Sequence, residues 1–164
     1  MPIFSEPRFI YLFFISIAAV LLWRKGKNTL IVACGALIFM LATDFVCGQI
    51  LKPLVGRPRP FRKVSPVYIY QHHHWQKLLH PLKPLPRGRS FPSCHASNVS
   101  CVATIFTCFA PELAPVLWSF VAAVMYSRLY LGVHYPLDVL AGLLVGLVMG
   151  IMGFRLIDLL RSKR

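Results

Sequence analysis

Apolar residues in this chain collect in long unbroken runs, without the narrow stripe of an amphipathic helix or the alternation of a half-buried strand. Five runs stand out: Phe9 to Trp23, Thr29 to Leu51, His95 to Phe109, Val116 to Tyr130 and Pro136 to Ile157. A helix rises about 1.5 Å per residue and the hydrocarbon core of a bilayer is about 30 Å thick, so the longer runs cross it outright. The first run makes only about 22 Å of helix and needs extension toward Ile3 or a thinned bilayer. Arg24-Lys25-Gly26-Lys27-Asn28 forms a short basic turn after it, and Pro111 and Pro115 bracket another. Pro92-Ser93 and Pro136 are helix start signals for the third and fifth runs.

Between Lys52 and Pro92 the pattern breaks into Pro, Arg, Lys, His and aromatic residues. Hydrocarbon cannot satisfy the backbone polar groups of such a stretch, so residues 52–92 read as a surface loop. Within it, His72 to Leu79 is expected to form a short interfacial helix, with Tyr70 and Trp75 at head-group depth. The expected fold is all-α, a single membrane-embedded domain over residues 1–164 built as a polytopic transmembrane helical bundle of about five spans.

Composition agrees, since 57% hydrophobic and 14% charged residues lie far from the soluble average. A formal net charge of +13 would suggest nucleic acid in a soluble chain. Beside membrane spans, Lys and Arg set topology and attract anionic head groups, so the expected partners are the bilayer and an anionic lipid, not nucleic acid. The amino terminus shows no basic region before its apolar run and no small-residue cleavage site after it, so the first run is expected to persist as a helix. Cys34, Cys47, Cys94, Cys101 and Cys108 lack metal-ligand spacing and are expected to be free thiols. His72-His73-His74 has no carboxylate or cysteine close by and reads as solvated or lipid-facing, so no metal is expected. Asp44, inside the second run, is expected either to hold Arg128 or Lys52 or to make a polar contact between spans.

Three polar clusters interrupt the hydrophobic chain at points that share one membrane face, because helix direction alternates. The first, Lys52-Pro-Leu-Val-Gly-Arg-Pro-Arg59-Pro60, holds cations on a proline-stiffened backbone, and Arg offers a planar fork for phosphate oxygens. The second, Pro92-Ser93-Cys94-His95-Ala96-Ser97-Asn98, opens a helix whose first N–H groups suit an anion, with Ser93 as a donor and His95 able to exchange a proton. The third runs from Ser127-Arg128 through His134 to Asp138. Asp138 can accept from one imidazole nitrogen and leave the other free to attack phosphorus, while Arg128 neutralises charge.

In order, these clusters match K-x6-RP, PSGH and SR-x5-H-x3-D, and on them the chain resembles the type 2 phosphatidic acid phosphatase superfamily from about Asp44 to Gly146. The resemblance implies a helical bundle whose 52–92 loop forms part of the active site, and lipid phosphate hydrolysis through a phosphohistidine without metal or cofactor. By matching position, it implies His134 as nucleophile, Asp138 as its orienter and His95 as the acid for the leaving oxygen. It implies Lys52, Arg59, Ser93, Cys94 through its backbone N–H, and Arg128 as the phosphate cradle. The sequence departs from the pattern at Cys94, where the family has glycine, and in showing five spans where members commonly have six.

Charge counting does not orient the chain. Eleven cations fall on the side of the clusters and seven on the other, and setting aside Lys52, Arg59 and Arg128 as ligands leaves eight against seven. Related bacterial lipid phosphatases face outward, which implies a site on the periplasmic side of a bacterial inner membrane. The wording of the motifs is most similar to lipid A phosphatases, with lipid A 1-phosphate as the expected substrate. Undecaprenyl diphosphate and phosphatidylglycerol phosphate are the alternatives. A soluble haloperoxidase sharing the motifs and a non-catalytic protein that gathers anionic lipids are the rivals of other classes.

Overall fold

The computed structural model describes residues 2–63, 66–71, 74–80 and 88–162. Five long helices carry the bundle: α1 (Pro7–Lys25), α2 (Asn28–Val55), α4 (Cys94–Phe109), α5 (Ala114–Tyr130) and α6 (Pro136–Ser162). Between α2 and α4 lie a single turn, α3 (Pro60–Lys63), and a hairpin of β1 (Val67–Gln71) and β2 (His74–Leu78). Among the described residues, four stretches are long and apolar enough to cross a membrane: α1, α2, Pro111–Tyr130 ending in α5, and α6. The chain is thus a multi-pass helical membrane protein.

α4 is the exception among the expected spans. It has 16 residues, about 24 Å of helix, and occupies the centre of the bundle against α2, α5 and α6. Residues 99–106 are buried without a break, so this helix faces protein where its neighbours face lipid. Two of its hydroxyls turn back on the helix itself, Ser100 Oγ donating to the Ala96 carbonyl at 2.6 Å and Thr104 Oγ1 to the Ser100 carbonyl at 2.7 Å. Serines, alanines and cysteines let neighbouring backbones approach, which is how helices associate where lipid supplies no hydrophobic drive.

α6 meets α4 along Gly142, Gly146 and Gly150. A methyl group at Gly142 would lie 2.5 Å from the Ser93 carbonyl oxygen, so the glycine permits the crossing. α1 joins α5 through aromatic packing, the rings of Phe13 and Phe120 stacking at 3.7 Å.

α2 departs from regular geometry over Val46–Leu51, a π-helical turn, and resumes over Lys52–Val55. Gly56, at φ 66°, ends it with its N–H on the Lys52 carbonyl at 3.0 Å. The interfacial helix expected over His72 to Leu79 is not formed, because β1 and β2 pair antiparallel there, Val67 opposite Leu78 and Gln71 opposite His74. Val67-Tyr-Ile-Tyr70 is β-branched and aromatic throughout and supplies the partner strand that a helix reading of the second half ignored. Trp75 leaves the hairpin to meet the Tyr130 ring at 5.2 Å, tying the loop to the end of α5. His72 and His73 lie outside the described residues; His74 Nε2 pairs with Gln76 at 2.7 Å.

Candidate active site

The ends of α2 and α5, the start of α4 and the α5–α6 connection converge on a cavity of about 710 Å³. Lys52 reaches it from the last turn of α2, Arg59 from the segment that Gly56 turns back, Cys94 and His95 from the first turn of α4, and Arg128 from the end of α5. His134 enters from the α5–α6 connection, where Gly132 takes φ 68° and the chain reverses. The opposite wall is apolar, formed by Pro7, Ile10 and Tyr11 of α1 and Met40 and Leu41 of α2. The cavity therefore joins a cationic end to a hydrophobic flank.

Lys52, Arg59, Arg128 and His134 all act electrostatically on His95, so the cluster is one connected field. Arg59 is deeply set: burial first, then Arg62, lowers its pKa, yet a guanidinium stays protonated at neutral pH. The Nε atoms of Arg59 and Arg128 are buried with no hydrogen-bond partner among the described residues, donors an anion could use. For His134, burial lowers the imidazole pKa, Asp138 opposes that, and Arg59 and Lys52 reinforce it.

Asp138 is completely buried behind His134 and does not line the cavity. Its Oδ2 accepts from the Tyr135 backbone N–H at 2.9 Å and stands 3.7 Å from His134 Nδ1, a charge contact longer than a hydrogen bond. The expected imidazole-to-carboxylate hydrogen bond is therefore not made here. Such contacts often tighten only around a bound substrate.

Ser93 and Asp44 are each engaged within the protein. Ser93 is fully buried and is not among the residues that line the cavity; its Oγ caps α4 by accepting from the Ala96 N–H at 3.5 Å, and its own N–H donates to the Asp138 carbonyl at 2.9 Å. Its part is to join the starts of α4 and α6. Of the two roles expected for Asp44, the polar contact between spans is the one formed: its Oδ1 accepts from Asn98 Nδ2 at 2.9 Å, linking α2 to α4 at the cavity wall.

Arg57 was not singled out in the sequence, and it is the closest cationic partner of Asp138, with Nη1 3.0 Å from Oδ1. Its guanidinium also lies 4.1 Å from the centre of the Tyr135 ring. In the sequence it stands two residues before Arg59, in the repeated Arg-Pro of Arg57-Pro58-Arg59-Pro60. Arg89, outside the three matched clusters, also lines the cavity. Ser90 brings it there, donating from N to the Arg57 carbonyl at 2.7 Å and from Oγ to the Pro58 carbonyl at 3.1 Å.

A family model described as the PAP2 superfamily matches residues 33–161. The chain is 36% identical over 124 residues to an undecaprenyl-diphosphatase of Sulfolobus acidocaldarius, covering 75% of this chain and 51% of that protein. It is 37% identical over 111 residues to a lipid A 4'-phosphatase of Bacteroides thetaiotaomicron, covering 63% and 44%. The chain spans about half the length of these curated relatives. Among solved structures it is similar to the first transmembrane PAP2 type phosphatidylglycerolphosphate phosphatase from Bacillus subtilis, with TM-score 0.59, 26% identity, and 99% and 74% of the two chains covered. It shares its fold with Aquifex aeolicus LpxE at TM-score 0.58 and 22% identity, covering 92% and 87%.

Proposed function

The chain belongs to the PAP2 superfamily, and from that membership and the site's geometry we propose that it is a lipid phosphate phosphatase working through a phosphohistidine. The observation that carries this reading is the cavity itself, where Lys52, Arg59, Arg128, His95 and His134 meet beside an apolar wall fit for a lipid chain. Phosphoryl transfer asks for neutralised equatorial oxygens, an in-line nucleophile and a proton for the leaving oxygen.

With Nδ1 turned toward Asp138, His134 presents Nε2 to phosphorus. A P–N bond forms, the P–O bond to the lipid breaks, and His95 gives its proton to the departing oxygen. Water then attacks the phosphohistidine, His95 takes a proton from it, and inorganic phosphate leaves with His134 restored. Lys52, Arg59 and Arg128 hold the transferred group throughout. The first turn of α4, whose free N–H groups include that of Cys94, adds backbone donors.

The substrate proposed is a lipid A-type phosphoglycolipid, by likeness to the Bacteroides relative, with the 1-phosphate and the 4'-phosphate as the two sites to separate. Undecaprenyl diphosphate is the second reading, favoured by the Sulfolobus relative. The site is proposed to face the periplasm from a bacterial inner membrane, and alkaline phosphatase activity from a reporter fused after Arg164 would reverse that orientation. Phosphate release by the purified protein from lipid A, undecaprenyl diphosphate and phosphatidylglycerol phosphate tests the function. Release that depends on His134 is expected, without peroxide or halide; no release from any of the three, or release unchanged in His134→Ala, overturns the reading.

A further inference from the structure

We propose that Cys47 and Cys94 form a modification site, closing to a disulfide that ties the first residue of α4 to α2 at the wall of the phosphate cavity. Cys47 lies in the π-helical turn of α2, where the extra residue per turn re-aims the side chains. It is fully buried, its Sγ meeting the Cys94 Sγ at 2.6 Å and the Pro92 carbonyl at 3.8 Å. Cys94 lines the cavity, so one sulfur of the pair is reachable from it and the other sits directly behind. Cys94 is also the position at which the chain departs from its family's motif, so the side chain gained there meets a second thiol. The other three cysteines are placed differently, Cys101 against Thr43 and Cys34 and Cys108 exposed.

The reagent class is a small disulfide able to enter the cavity, and one carrying carboxylates suits Lys52 and Arg59. The Cys94 thiolate attacks one sulfur of the reagent, forming a mixed disulfide and expelling one thiolate. Cys47, as thiolate, then attacks the Cys94 sulfur and expels the second. Two protein thiols are oxidised, the reagent is reduced to two thiols, and the two protons released by the cysteines end on them. Because the two thiols already meet, the bond leaves the Ser93 cap and His95 in place. It links positions 47 residues apart in sequence, so it acts as a staple between the helix that carries Lys52 and the helix that carries His95.

The test incubates the full chain, in detergent, with glutathione disulfide, then blocks remaining thiols and maps unreduced peptides by mass spectrometry. The expected dominant product is the Cys47–Cys94 linked peptide, with Tm raised by roughly 5 °C, reversed by dithiothreitol and absent in Cys47→Ser or, if that variant does not fold, in Cys47→Ala. Cys47 and Cys94 both still alkylated, a bond to another cysteine, or a mapped bond without a Tm rise each overturns the proposal. Phosphate release should change less than about twofold on oxidation, a readout that rests on the function proposed above. Release abolished by the bond would replace the staple with an inhibitory switch. A mapped, stabilising bond in a protein that releases phosphate in neither redox state would leave this site standing and remove the function.

Discussion

Arg57 and Asp138 stand 3.0 Å apart, joining the segment after α2 to the first turn of α6. Asp138 is wholly buried, and a buried carboxylate survives only when its oxygens are engaged. Arg57 takes one oxygen and the Tyr135 N–H the other, so the carboxylate is fixed before His134 approaches it. In the mechanism proposed above, Arg57 would act on the imidazole through Asp138, as a positioning residue.

Arg57→Gln is expected to lower kcat about tenfold, the equivalent of roughly 1.4 kcal/mol, while KM for the lipid changes less than about twofold. The Arg57 side chain is 33% exposed, which keeps the effect below that of a fully buried pair. In an Asp138→Asn background the same change should cost little, since its target is gone. Steady-state kinetics on the four proteins decide it: a raised KM with kcat intact would make Arg57 a substrate ligand.

The two histidines should fail differently. His134→Ala is expected to form no phosphoenzyme on any substrate. His95→Ala should lose about 10²- to 10⁴-fold on a lipid whose alkoxide needs a proton, and much less on p-nitrophenyl phosphate, whose phenolate leaves unaided. Rapid quench with labelled phosphate reads both, looking for base-stable, acid-labile label. Label trapped in His134→Ala and absent in His95→Ala would exchange the two roles.

The pH dependence of the first step follows from the burial of His134. An imidazole attacks only when neutral, and burial lowers its pKa below the ordinary value. Phosphoenzyme formation should therefore hold its plateau as pH falls through 6.5, and decline only at lower pH. Asp138 opposes that shift, so Asp138→Asn should move the acid limb to still lower pH while lowering the plateau. Single-turnover rates across pH check both; an acid limb moving upward in Asp138→Asn would contradict the assigned coupling.

What was legible in the sequence was what short-range pattern controls. The lengths of the apolar runs, the Ser93 cap and Pro136 place the helices, and alternating direction puts Lys52, His95 and His134 at one end. What was missed or left open arises from contacts between segments distant in sequence. The hairpin depends on Val67–Gln71 meeting His74–Leu78, and the pairing of Asp44 with Asn98 depends on how α2 lies against α4. Arg57 was hidden because only Arg59 falls in register with the motif, and Cys47 because the π-turn that aims it has no sequence mark. The contacts of Ser93 are of the same kind: its hydroxyl caps α4, and the Asp138 carbonyl takes its N–H.

The tight crossing of α4 and α6 gives the last prediction, because it holds the two halves of the site in register. A methyl group at Gly142 would sit 2.5 Å from the Ser93 carbonyl oxygen and 3.0 Å from Ala96 Cβ, both in the turn that presents His95. Backbone cannot swing aside as a side chain can, so Gly142→Ala must push the start of α4 away from α6. The Ser93 N–H bond to the Asp138 carbonyl, 2.9 Å long, is the first contact in the way. At Gly153, farther along α6, the added methyl would meet the Phe39 ring at 2.7 Å, a side chain that does not line the cavity. Overpacking of this kind costs about 1–3 kcal/mol, so both variants should unfold at lower temperature than the parent. Only Gly142→Ala should also lose kcat in protein still folded at the assay temperature, because only there does the strain fall between His95 and Asp138. Thermal unfolding in detergent and phosphate release on the same samples compare the two. Equal loss of kcat in Gly153→Ala would show that the crossing supports the bundle as a whole and not the register of the site.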